Sequence, residues 1–460
     1  MAQWSPSFFK VHQVYQVAPP QGTTTSATLP LTFFDLLWLR LPSTERLYFY
    51  QFQNPTISFF DSILPNLKRS LELTLQHFFP LAGNITWPQH SPIPTITYIA
   101  GQDSVSLTVS ESHEDFNHLC SNLCQVSKFQ PLVPRLSISD DKASLLALQV
   151  TFFPNSGFCI GITTHHAAFD GNCSTMFMKA WAYTCSKISQ TPSMSSWSLP
   201  ENLTPIFDRS AVKDPKGIAE LYANTWLNFG GENNRNLKIL ETNTEARTEV
   251  VKGVFELKPS QIQKLKQYAK SNNLEAKVST FTVTSSYLLH CLVKAEEPEC
   301  KKVAFLFNVD CRSRLEPPLG ASYFGNCVAI PLILVEKERI EGNDGFLNAL
   351  KVITEVLYDL ENNENGVLNG AENYMLMVQS VVGEGSRLYS PSGSPWFGVY
   401  GVDFGFGRPK RVDVASVNKT ASFSLSEGSN VDGGIEIGLA LDKNHMEAFA
   451  ALFHREIETF

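Results

Sequence analysis

Apolar and polar positions alternate along 10–17, the period of a half-buried strand, and the polar run 22–27 after it reads as a loop. Leu64, Leu67, Leu71, Leu75 and Phe78 recur at helical spacing; that helix stops at Pro80, and 81–83 makes a turn. Strand-like segments follow at 95–99 and 106–109, a short helix at 116–124, and two apolar runs with strand character at 145–153 and 157–163. A helix is predicted over 175–185, with Phe177, Ala180, Trp181 and Thr184 on one face. Periodicity is then lost over 187–216, where Ser, Pro and Thr are frequent, and this stretch reads as a long crossing linker. The second half repeats the texture of the first. Strands are predicted at 253–257, 302–310, 328–335, 422–426 and 433–441, and helices at 260–271 (capped by Ser260), 280–294, 345–360 and 371–382. The mixture predicts an α/β chain of two similar-sized layered domains, 1–186 and 217–460, joined by the linker 187–216.

Composition narrows the class. With 460 residues, 43% of them hydrophobic and 18% charged, the chain buries large cores and is not disordered. The 32 Phe supply core area and planar walls for a ligand. A net charge of −8 without any dense Lys/Arg run argues against nucleic acid as a partner, though a local basic patch suffices for a polyanionic small molecule. No basic-then-apolar leader opens the sequence, and no apolar run reaches transmembrane length. Nine scattered Cys, an odd number, then read as reduced thiols; a cytoplasmic monomer with no membrane partner is expected, and the four Asn-x-Ser/Thr matches are coincidental.

The second apolar run leads into Thr163-Thr-His165-His166-Ala-Ala-Phe-Asp170-Gly171. A His at a strand end acts as a general base near neutral pH, and His166 is the candidate, with His165 as its packing neighbour. No Gly-x-Ser-x-Gly nucleophile turn is present, which disfavours a serine hydrolase, so Asp170 need not orient the imidazole. Asp403-Phe-Gly405-Phe-Gly407 is not a kinase signature, because the catalytic loop and glycine-rich loop of kinases are absent; it reads as a glycine-rich turn whose Asp satisfies backbone N–H groups. Asp310, Arg312 and Arg314 alternate at the end of a strand and so share a face, poised to pair with Asp170 or Asp403. Cys120, Cys124 and His118 have poor zinc spacing, so no metal is expected, and phosphate-cradling glycine motifs are absent.

Taken together, His166-x-x-x-Asp170, Asp403–Gly407, Phe79-Pro-Leu-Ala-Gly83, Asp310-x-Arg312-x-Arg314 and Gly325-Asn326 resemble the plant BAHD acyltransferase family over nearly the whole chain. The segments 29–38 and Tyr323-Phe-Gly-Asn-Cys327 resemble its branch acting on anthocyanins, flavonoids and other phenolic glucosides. The resemblance implies two chloramphenicol-acetyltransferase-like domains, each a mixed sheet with flanking helices, and a channel between them. It implies His166 as the base, acyl-CoA (here malonyl-CoA) as co-substrate and a glycosylated phenol as acceptor. It further implies Asp170 held by Arg312 or Arg314, a structural Asp403–Gly407 turn with Gly405 and Gly407, and CoA contacts from Lys277, Ser279 and Thr280. Asp35, Trp38 and Trp396 are expected on the acceptor side. Two positions depart from the family pattern. Phe406 replaces a Trp, and Asn172 stands where malonyl-using members often carry Lys or Arg, leaving Lys179, Arg312 and Arg314 as cations that could compensate. An aromatic donor such as coumaroyl-CoA, a non-catalytic binder of the same fold, and a peptide-condensation domain are the alternatives.

Overall fold

The computed structural model describes residues 9–53, 58–190, 198–240, 250–274, 278–363, 366–383, 385–419, 422–429 and 433–460. Two mixed sheets organise these residues. The first has six strands in the order Phe9–Val17, Val105–Ser112, Leu146–Phe153, Gly157–Thr164, Thr44–Gln51 and Arg411–Val414. The second has seven: Leu332–Glu336, Lys302–Leu306, Arg387–Ser392, Ser422–Glu427, Ile435–Asp442, Val250–Leu257 and Leu123–Gln125.

Each sheet takes its last strand from the other half of the sequence. Arg411–Val414 pairs antiparallel with Thr44–Gln51, and Leu123–Gln125 pairs antiparallel with Val250–Leu257. The linker is thus not the sole tie between the halves. A buried ion pair, Lys252 Nζ to Asp413 at 2.7 Å, joins one strand of each sheet. Burial disfavours each charge, and only a close partner makes it tolerable.

Helices Leu64–His77 and Gly171–Gln190 pack together on the first sheet. The 64–78 periodicity predicts the first of them well: Leu67, Leu71 and Leu75 are fully buried. Trp181 crosses the contact, its indole N–H donating to the Leu67 carbonyl at 3.1 Å and to Ser70 Oγ at 3.0 Å. In the second half, Thr280–Glu296 packs against Gly345–Asn362 and Lys443–Thr459.

Several local expectations need correction. The helix at 116–124 shrinks to Phe116–Leu119, because Leu123–Gln125 leaves to join the other sheet. The strand at 302–310 breaks into Lys302–Leu306 and Val309–Asp310, and that at 328–335 into Val328–Ala329 and Leu332–Glu336. Pro331, which has no N–H to give a ladder, sits at the second break. Helix 260–271 starts at Pro259 with Lys258, not Ser260, as its N-cap residue. The 371–382 helix opens as a 3-10 turn, Ala371–Asn373. The helix begun before the linker runs on to Gln190.

Candidate active site

The strand Gly157–Thr164 is buried along its whole length between Leu146–Phe153 and Thr44–Gln51. Its end is therefore fixed, and the chain turns through His165–Ala168 into the helix that starts at Gly171. Asp170 caps that helix. Its Oδ1 accepts from the Cys173 N–H at 3.0 Å and its carbonyl from the Ser174 N–H at 3.0 Å.

The other oxygen of Asp170 faces the second half of the chain. Oδ2 accepts from Arg312 Nη2 at 2.8 Å and from the Cys327 N–H at 3.3 Å. Arg312 also donates to the Gly325 carbonyl at 3.0 Å. Both charged groups are nearly inaccessible, and burial of Asp170 is offset by the guanidinium. No hydrogen bond joins Asp170 to either imidazole among the described residues. Of the two arginines, Arg312 is the partner; Arg314 points away, to the Asp310 carbonyl at 2.8 Å and Glu361 at 3.7 Å. The expectation that Asp310, Arg312 and Arg314 share a strand face does not hold, because Arg312–Arg314 is a 3-10 turn that buries Arg312 and exposes Arg314.

The two histidines separate clearly. His165 is fully buried, its Nδ1 accepting from the Ala167 N–H at 3.3 Å, and burial pushes its pKa down to about 4, with His166 adding to the shift. His166 lines a cavity of about 350 Å³. Burial lowers its pKa as well, partly offset by its own carbonyl, Asp170 and Asn326, so the ring is neutral at physiological pH. Trp38 stacks on it with ring centres 3.9 Å apart and planes within 6°. Trp38 thus backs the imidazole and is not among the residues lining this cavity.

The expected acceptor-side place of Asp35 is corrected, because the residue has no accessible surface. It is wholly buried behind the His turn, accepting from the Asn326 N–H at 3.1 Å, Asn326 Nδ2 at 2.9 Å and Arg209 Nη1 at 3.1 Å. Asn326 Nδ2 also donates to the His166 carbonyl at 2.8 Å, and Arg209 Nη2 to the Ala168 carbonyl at 3.2 Å. Arg209, Asn326 and Asp35 form a second brace on the turn. Sequence reasoning missed Arg209, since it lies in a stretch without periodicity. Asn326 carried a weak signal inside Tyr323–Cys327. Gly325 is required there, because a Cβ on it would meet Arg209 Nη1 at 1.8 Å.

Other expected residues scatter. Trp396 stands on the cavity rim, 90% exposed, beside Ser392, Gly393 and Ser394. Ser279 caps helix Thr280–Glu296, accepting from the Thr282 N–H, and Thr280 Oγ1 accepts from Lys266 Nζ at 2.8 Å. Neither lines the His166 cavity, and Lys277 lies outside the described residues. Lys179 is bound to the Phe397 carbonyl at 2.6 Å and is also away from the cavity lining. Asn172 lines the cavity without a charge.

Asp403 Oδ1 accepts from the N–H groups of Gly405 at 2.8 Å and Gly407 at 3.0 Å, so the segment is a tight turn. Both glycines have positive φ, +91° and +100°. Phe404 is buried edge-on against Trp181 and Tyr50, and a Cβ on Gly405 would touch Ser186. The turn packs near the far end of the helix that Asp170 begins, about 22 Å along its axis at 1.5 Å per residue. Among the described residues no His/Cys/Asp/Glu cluster fits a metal, and no helix is long and apolar enough to cross a membrane.

These features have close relatives. The Transferase family pattern matches residues 10–455. Phenolic glucoside malonyltransferase 1 of Arabidopsis thaliana is 38% identical, with 98% of each chain covered. Agmatine coumaroyltransferase of the same plant is 35% identical over 97% of this chain and 99% of its own. Vinorine synthase superposes with a TM-score of 0.69 at 20% identity, 96% of each chain covered, and so shares the fold. A match spanning almost the entire chain, with a relative this similar, places the protein in the Transferase family, the BAHD acyltransferases, as a CoA-dependent acyltransferase.

Proposed function

We propose that the protein moves a malonyl group from malonyl-CoA to a sugar hydroxyl of a phenolic glucoside, with His166 as general base. The observation that carries this is the position of His166: an imidazole lining a cavity, held from behind by Trp38, with no carboxylate hydrogen-bonded to it among the described residues. A sugar hydroxyl is a poor nucleophile at neutral pH, and an imidazole that takes its proton during attack contributes roughly 10²–10⁴-fold. The hydroxyl oxygen bonds to the thioester carbonyl carbon, His166 takes the hydroxyl proton, the C–S bond breaks, and the imidazolium returns the proton to the departing CoA sulfur. The thioester is already activated, so no covalent enzyme intermediate is needed. Asp170 and Arg312 hold the turn that carries the base. The polar N-terminus of helix Thr280–Glu296, with Ser279, Thr280 and the neighbouring Lys266, is our candidate contact for the CoA phosphates. The protein acts as a cytoplasmic monomer in this reading, with the linker 187–216 dividing two acyltransferase domains.

The phenolic glucoside malonyltransferase relative supports the donor and acceptor. A coumaroyl relative of nearly equal similarity and the uncharged Asn172 support a second reading, an aromatic acyl donor. The test is to offer malonyl-CoA and coumaroyl-CoA, separately and in competition, with flavonoid and simple phenolic glucosides, reading CoA release and product mass. Malonylated product is expected. Coumaroylated product alone establishes the second reading, and no CoA release with either donor overturns both.

A further inference from the structure

We infer that Arg46 reads the acyl group, its guanidinium receiving the free carboxylate of a dicarboxylic acyl thioester. The inference rests on the malonyl reading above and names the residue that would enforce it. Arg46 is the third residue of strand Thr44–Gln51 and stands opposite Ile162 on one neighbouring strand and Val414 on the other. All three line the cavity that also holds His166.

The guanidinium is anchored but not used up. Nη1 donates to Thr175 Oγ1 at 2.9 Å, and Thr175 Oγ1 donates in turn to the Gly171 carbonyl at 2.8 Å. Among the described residues its only other side-chain hydrogen bond is a long one, Nη1 to the Tyr48 hydroxyl at 3.4 Å. Nε and Nη2 have no hydrogen-bond partner, and no carboxylate lies within ion-pair distance, among the described residues.

The other cations are committed. Arg312, which also lines the cavity, spends Nη2 on Asp170 and Nη1 on Asp310 at 3.2 Å. Lys179 is tied to the Phe397 carbonyl, and Arg314 lies outside the cavity. Three carboxylates border the space. Asp170 and Asp310 are engaged by Arg312, and strand alternation sets Glu45 on the face opposite Arg46, with Leu47. A half-buried cation with idle donors calls for an anion, and the planar fork of Arg matches a carboxylate in two-point contact. This also accounts for Asn172: a cation supplied from the strand makes one at the helix start unnecessary.

A CoA phosphate shares that chemistry, so the experiment compares donors that differ only in the acyl carboxylate. Full-length wild type, Arg46→Gln and Arg46→Lys are assayed with malonyl-CoA and acetyl-CoA against one phenolic glucoside, with thermal melting as a folding control. In Arg46→Gln the malonyl-to-acetyl ratio of kcat/KM is expected to fall about tenfold to hundredfold, the worth of a charge-assisted hydrogen bond. Arg46→Lys should give an intermediate ratio, since it keeps charge but loses the fork. Equal loss with both donors would assign Arg46 to CoA phosphate or to folding and overturn the inference, as would an unchanged ratio. If Arg46→Gln does not fold, the ratio in Arg46→Lys decides by the same criterion. A wild type that uses acetyl-CoA but not malonyl-CoA overturns the malonyl reading, and this inference with it, before any variant is made.

Discussion

The helix Gly171–Gln190 carries an aspartate-led turn at each end, and the two turns differ in what they leave unsatisfied. At its start, Asp170 is saturated by Cys173, Cys327 and Arg312, and the His166 ring beside it keeps Nδ1 buried without a partner. Near its far end, Asp403 closes its turn on its own glycines, and the neighbouring aromatic, Phe404, is packed against Trp181 and Tyr50. Both turns join the halves of the chain, since Arg312 reaches Asp170 and Phe404 reaches Trp181. Only the first leaves a reactive group facing a cavity. A carboxylate four residues from a candidate base is therefore no evidence of charge relay; what matters is which partner holds it.

The sharpest way to break this contrast is His166→Ala. Turnover should fall by roughly 10²–10⁴-fold, the general-base contribution, while the melting temperature stays close to wild type. Next is Asp170→Asn, which removes the buried counter-charge of Arg312 at 2.8 Å and leaves it only the exposed Asp310 at 3.2 Å. Removing one partner of such a pair costs about 3–5 kcal/mol, to be read from urea unfolding. If His166→Ala unfolds the protein as readily as Asp170→Asn, the division between a reactive and a bracing side chain fails. A cost below about 1 kcal/mol for Asp170→Asn would equate the pair with a surface ion pair and sink the bracing role.

Acid should weaken the first turn. His165 has a folded pKa of about 4 against 6.5 in the open chain, because burial disfavours its charged form. Below pH 6.5 the unfolded chain binds a proton that the folded one refuses, so stability is full above 6.5 and is lost progressively as pH falls to about 4. The loss is about 3 kcal/mol at 1.36 kcal/mol per unit. His165→Gln should flatten that part of the stability–pH curve; an identical slope in the variant would place the titration elsewhere. The acid limb of turnover should likewise have its midpoint below 6.5, since burial lowers His166 too.

How much of this was legible follows from what each residue's role depends on. His166 and Asp170 stand out because a strand end, a helix start and a four-residue spacing are local features. The Leu64–His77 helix shows because one face is buried at helical period. Thr44–Gln51 escapes pattern reading because its Leu47–Tyr50 core is buried on both faces and so does not alternate. Arg411–Val414 and Leu123–Gln125 are too short to show a period, and each exists as a strand only by pairing with the opposite half. Arg46 is hidden with its strand. Arg209 and Asp35 acquire their roles from each other across 174 positions, a contact that no local spacing announces.

The smallest expected effect lies at the second turn. Gly407 has φ +100°, and a Cβ there would meet the Gln53 side-chain amide nitrogen at 2.2 Å. Gln53 can swing aside, so the cost of Gly407→Ala is mainly the backbone conformation, about 1–2 kcal/mol for an L side chain at positive φ. Asp403→Asn should cost less still, because an amide oxygen also accepts from the Gly405 and Gly407 N–H groups. Turnover per folded molecule should match wild type in both, measured after melting curves fix the folded fraction. A drop in kcat at unchanged folding would mean that the turn communicates along the helix to Asp170, and the separation between the two ends would then be wrong.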